Sequence, residues 1–173
     1  MKNNSTPLDL NGTGNCASFN FRKTARAVTR LYDAALQESG IRSTQFAILV
    51  AVAKNHPVSI GALADVLVMD GTTLTRSLRL LQKQRLIGIS NRSAMRQRFL
   101  TITARGARLL ARSLPAWRRA QDRFVAAVGS GYWVDLRNDL ERLAHLAVDL
   151  EKLQKSRSAP NSSIAPLSNT PSN

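Results

Sequence analysis

Gly71-Thr-Thr-Leu-Thr-Arg-Ser-Leu-Arg-Leu-Leu81 is the stretch whose reading decides the fold. Leu74, Leu78 and Leu81 fall at i, i+4 and i+7 and bury together on one side of a helix. Thr72, Arg76, Arg79 and Lys83 recur on the opposite side and stay outside. Asp70 stands just ahead as the expected N-cap, and the helix is predicted to reach about Gln84. A shorter apolar run, Ile60, Leu63, Ala64 and Leu67, precedes it behind a second N-cap residue, Ser59, with Val68-Met69 as the turn between the two. After it comes Ile87-Gly-Ile-Ser-Asn-Arg-Ser-Ala-Met-Arg-Gln-Arg-Phe-Leu-Thr-Ile102, β-rich at about residues 87–90 and 98–102 with residues 91–97 as a hairpin tip.

Two short helices joined by a tight turn, followed by a two-stranded ribbon, make a winged helix-turn-helix. The surrounding pattern is helical. A first helix spans about residues 17–39 up to Gly40, with Phe21, Ala25, Val28, Tyr32 and Ala35 on one face. A second spans about residues 44–55, with Phe46, Leu49, Val50 and Ala53 expected inward, and ends at His56-Pro57 because the residue before proline avoids helical geometry. Val58 is a short strand. Thr103 caps a long fifth helix to about Val128, expected to bend at Pro115. Gly129-Ser-Gly131 then breaks the chain before a sixth helix, about Trp133 to Lys155. The fold class is mainly α, with long N- and C-terminal helices around a two-stranded β wing. Residues 1–15 and 157–173 are polar and read as disordered tails, leaving one domain at 16–156.

The chain has 173 residues and a formal net charge of +14, which points to a polyanionic partner, nucleic acid ahead of an anionic membrane. A solvated arginine face is the bland alternative. The distribution favours the first, because no Asp or Glu occurs between Gly71 and Gln121 while acids return at Asp135, Asp139, Glu141, Asp149 and Glu151. One cysteine excludes an intramolecular disulfide framework and fits a reducing compartment. There is no signal-peptide pattern and no apolar run of membrane-spanning length, so a cytoplasmic, nucleoid-associated protein is expected. No Gly-rich phosphate loop, metal-ligand spacing or nucleophile–base set is present. The expectation is therefore no enzyme, no cofactor and no metal, with His56 and His145 structural.

Ser59-Ile-Gly-Ala-Leu-Ala64, Met69-Asp-Gly-Thr-Thr-Leu-Thr-Arg76 and Ile102-Thr-Ala-Arg-Gly106 resemble the multiple-antibiotic-resistance regulator (MarR) family. The likeness runs from about Phe19 to Lys155 and takes in Arg26-Ala-Val-Thr-Arg-Leu-Tyr-Asp33, Thr44-Gln-Phe46 and Pro115-Ala-Trp-Arg-Arg-Ala-Gln121. In the family's wing pattern Arg96, Thr103 and Gly106 match and Ile102 replaces Leu, but Ala94 stands where an aspartate would brace the wing arginine. Gly71 stands where relatives often carry a basic residue. The resemblance implies a dimeric bacterial transcription regulator, expected to be a repressor relieved by a small-molecule or oxidative signal. Its DNA-binding lobe would span about 44–103 and its dimerisation helices about 17–39 and 104–155.

On that reading Thr72, Thr73, Thr75 and Arg76 reach base edges in the major groove, Arg76 with the geometry for guanine. Capping or packing is the alternative for the threonines, and a surface ion pair for Arg76. Arg79 and Lys83 face phosphate. Arg92, Arg96 and Arg98 on the wing suit a narrow minor groove. The leucines 136, 140, 143 and 150, widened by Leu146 and Leu153, suggest a homodimer and hence a pseudo-palindromic operator of double-stranded DNA. Two inputs are open: a small aromatic or lipophilic anion held near Tyr32, Trp117 and Trp133, or oxidation of Cys16, which lies near a helix N-terminus with Arg22 and Lys23 close by. The rival function is a non-specific architectural DNA-binding or RNA-binding basic protein.

Overall fold

The computed structural model describes residues 8–92 and 97–158, the side chains of 91, 92 and 97 excepted. Six helices and three strands follow in order: α1 (Ala17–Leu36), α2 (Ser43–Lys54), β1 (Val58–Ser59), α3 (Ile60–Leu67), α4 (Gly71–Lys83), β2 (Ile87–Arg92), β3 (Gln97–Ile102), α5 (Ala104–Val128) and α6 (Ser130–Ser158). They fall into two units, Met1–Ala127 and Val128–Asn173.

The core of the first unit is built from the apolar positions that the helical spacing marks. Leu63, Leu74, Leu78, Leu81 and Leu100 are buried, joined by Leu36, Leu49 and Val52. Each fully buried leucine contributes about 1.5–3 kcal/mol relative to an exposed one, so the leucine side of α4 holds the helix while its polar side stays free. Ser59 caps α3 by accepting the Ala62 N–H at 3.1 Å, and Asp70 caps α4 by accepting the Thr73 N–H at 2.8 Å. The turn between the helices passes through Val68 at φ 48°, a left-handed conformation that β-branched residues rarely adopt.

Several expectations shift. The wing is part of a three-stranded antiparallel sheet, because β1 pairs with β3 (Val58 opposite Leu100) while β2 pairs with its other edge (Ile87 opposite Ile102). The inward side of α2 centres on Ile48, Leu49 and Val52, and Ala53 is exposed. This helix packs against α1, α3 and β3 at once, which rotates its buried arc away from Ala53. In α1 residues 17–27 are exposed, Phe21 and Ala25 included, and burial starts at Val28. That helix ends at Leu36, and one 3-10 turn (Gln37–Ser39) leads to Gly40 at φ 70°. A 3-10 turn, Thr13–Asn15, also lies inside the stretch expected to be an unstructured tail, with the Asn20 side chain bonded to Gly14 O. Helix α5 holds Pro115 in its interior, and α6 extends to Ser158.

Two contacts join the elements around the helix-turn-helix. Asp33 of α1 accepts the Ser43 N–H and hydroxyl, both at 2.7 Å, and the Arg42 guanidinium at 3.2 Å, so it caps α2 from outside. Thr103 caps α5 by accepting the Gly106 N–H at 3.0 Å. The same hydroxyl lies 2.8 Å from the carbonyl of Arg85, and the Thr103 N–H donates to Leu86 O at 3.1 Å. The start of α5 is thereby tied to the end of α4.

Candidate nucleic-acid interface

The outer face of α4 carries Thr72, Thr73, Thr75, Arg76, Arg79 and Lys83, all exposed, with no acid in the helix itself. The threonines are not equivalent. Thr73 is committed to the cap, since its hydroxyl and N–H both bond Asp70 and hold that carboxyl below the usual carboxylate range. The Thr75 hydroxyl donates to Gly71 O at 2.6 Å, one turn back along its own helix. Thr72 and Arg76 have no side-chain partner among the described residues. They are the side chains that α4 holds out at its N-terminal end.

Leu80 lies off the Leu74, Leu78 and Leu81 stripe, interrupts this polar face and is 47% exposed. Gly71 opens the helix with nothing within 4 Å of the position a Cβ would take. On the wing, Asn91 pairs with Arg98 across the strands and Arg98 is exposed. Arg92 lies in β2, opposite Gln97, and nothing is described of its side chain. Arg96 and Ala94 lie outside the described residues.

A second feature of the first unit is a cavity of about 560 Å³ between α1, α2 and α5. Tyr32 and Trp117 both line it, together with Val28, Phe46, Val50 and Lys54. Phe46 and Trp117 stack with ring centroids 5.9 Å apart, and the Tyr32 hydroxyl donates to the Gln121 side-chain oxygen. Burial pushes the Tyr32 phenol up from its ordinary value, so it is neutral and a donor. Sequence spacing marks the two aromatics but gives Phe46 as core only and does not point to Lys54. A lysine in the last turn of a helix carries no local sign that a cavity opens beside it. Trp133 belongs to α6, and Cys16 is exposed at the start of α1. Among the described residues no group of three His, Cys, Asp or Glu could hold a metal ion, and no helix is long and apolar enough to cross a membrane.

A family model described as MarR family matches residues 39–93, which hold α2 to the first wing strand. The transcriptional regulator MosR of M. tuberculosis, solved in complex with DNA, superposes with a TM-score of 0.72 at 30% identity, covering 78% of this chain and 98% of that one. MepR of S. aureus in its DNA complex (TM-score 0.63, 18% identity, 74% of this chain and 96% of that one) and apo MarR of E. coli (0.59, 17%, 74% and 96%) share the fold. Among curated proteins no sequence matches. With near-complete coverage of a 30% identical regulator and a family match across the helix-turn-helix, the chain belongs to the MarR family of winged-helix transcription regulators.

Proposed function

We propose that this protein is a homodimeric, sequence-specific DNA-binding repressor whose recognition helix is α4. The observation that carries the reading is the outer face of α4: Thr72 and Arg76 project without partners from a helix free of acids, while three leucines and the Asp70 cap hold it in place. The 30% identical MosR in its DNA complex supports the same reading. Arg76 pairs with guanine, Arg79 and Lys83 grip phosphate, and Arg92, Arg96 and Arg98 enter the minor groove.

Self-association is supported by apolar surface left open. Leu140, Leu143, Leu146, Leu150 and Leu153 of α6 are 39% to 60% exposed, and Phe19, Phe21 and Leu31 of α1 are exposed as well. A monomer rarely leaves so much apolar surface in water. A second copy covers it, and a two-fold dimer reads half-sites one helical turn apart. A stable monomer in sedimentation at micromolar concentration overturns this part.

The signal that relieves binding is a small aromatic or lipophilic anion in the cavity of Tyr32, Phe46 and Trp117, with Lys54 supplying the positive charge. Apolar walls with a few polar groups suit such a ligand. Oxidation of the exposed Cys16 is the second input, tested by peroxide treatment of wild type and C16S. Selection of binding sites from random duplexes tests the whole reading. An enriched inverted repeat supports it, whereas no enrichment favours the non-specific architectural alternative.

A further inference from the structure

The basic surface does not end with the recognition helix and the wing. Arg85 follows α4, and Arg105 and Arg108 lie in the first turns of α5; all three are exposed. They are far apart in sequence, but the Thr103 hydroxyl, 2.8 Å from Arg85 O and 3.0 Å from Gly106 N, clamps the two helix ends together. The Arg85 side is rigid too: the Leu86 N–H reaches Leu81 O at 2.9 Å and the Arg85 N–H reaches Gln82 O at 2.8 Å, closing the helix with Arg85 at φ 58°. This is the position after a helix where glycine is unstrained. Lys83, also exposed, lies two residues before it.

Among the described residues no ion pair joins an acid to this cluster. The chain has 25 Lys and Arg against 11 Asp and Glu. Of the acids, Asp33 is bonded to Arg42, and Asp139, Asp149 and Glu151 of α6 pair within their own helix with Arg142, Lys152 and Lys155. Asp70 caps α4. In α5 six arginines meet one acid, Asp122. No described ion pair involves Arg85, Arg105 or Arg108.

We infer that Arg85, Arg105 and Arg108 form a sequence-independent phosphate clamp, separate from the base-reading face, which grips duplex DNA flanking the operator half-site. The inference rests on the DNA-binding reading above and adds the residues that lengthen the footprint. Such a clamp raises affinity for every duplex alike, because phosphate contacts carry no sequence information.

The test uses the full chain with two probes, a 40-base-pair random-sequence duplex and a duplex of the same length carrying the selected site. R105A/R108A and R85G are measured across a salt series, with R105K/R108K as the charge-keeping control. Glycine at 85 relieves the positive φ, so R85G keeps the fold. Affinity is expected to fall by the same factor on both probes, roughly tenfold for the double variant, and the slope of log K against log salt to flatten by about 0.9 for each phosphate no longer neutralised. The lysine variant retains most of both. Unchanged affinity and slope overturn the inference, as does a loss confined to the selected site or weaker self-association in sedimentation. R76A separates the two readings: it lowers preference for the selected site while leaving the random-duplex slope nearly unchanged. Wild-type protein that binds neither probe removes the DNA-binding reading itself.

Discussion

A Cβ on residue 106 would lie 2.1 Å from the carbonyl oxygen of Leu86. Gly106 is therefore the point at which the first turn of α5 touches the backbone just after α4, and only a residue without a side chain fits. The obstacle is backbone, which cannot swing aside as a side-chain end can. Gly106→Ala is expected to destabilise the fold by at least about 2 kcal/mol, read as a lower urea midpoint. A midpoint within error of wild type would show that the two helix ends are not packed this way.

Gly71 is the opposite case. Its Cβ position is open and its φ is not left-handed. Gly71→Ala should stabilise by about 0.4–1 kcal/mol by restricting the unfolded chain. Thermal melts of the two glycine variants should shift in opposite directions. Gly71→Lys would further add a charge at the start of α4 and is expected to tighten duplex binding in a salt-sensitive way.

Thr103 ties α5 to α4 through its hydroxyl. Thr103→Val keeps the shape and removes the cap, leaving Gly106 N–H unsatisfied in a half-buried site. A loss of about 1–2 kcal/mol is expected in chemical denaturation.

Asp33 gives a signed pH dependence. Burial by itself raises its carboxyl, but the Ser43 N–H and hydroxyl and the Arg42 guanidinium outweigh it and hold the group below its ordinary value. The unfolded chain thus takes up the proton first as pH falls. Its stabilisation is complete above the unfolded carboxyl value of about 3.9 and disappears as pH drops through the lower folded value. Asp33→Asn should cost about 1–3 kcal/mol at neutral pH and show a shallower acid limb than wild type between about pH 5 and 2. Parallel acid limbs would rule out Asp33 as a source of the slope.

Arg76 and Thr75 separate reading from helix support. Arg76→Ala should lose about 1–3 kcal/mol of discrimination between the selected site and a mismatched one in competition binding. Thr75→Ala should leave that ratio nearly intact, since its hydroxyl is spent on Gly71 O.

Local pattern alone determined the helix-turn-helix. The leucine spacing of α4, the caps at Ser59 and Asp70 and the β-rich wing each depend on residues within one or two turns of one another, and such short-range order is visible in sequence. The outward direction of Arg76 and Thr72 was legible for the same reason. What only the tertiary structure decided involves residues far apart in the chain. The pairing of Val58 with Leu100, the capping of α2 by Asp33, the cavity that gathers Tyr32, Phe46 and Trp117, and the approach of Gly106 to Leu86 leave no periodic trace. Periodicity misplaces Ala53 because it marks an apolar stripe but not how many elements surround a helix. Likewise a threonine's type does not reveal whether its hydroxyl faces outward, bonds its own helix backbone as in Thr75, or joins a cap as in Thr73.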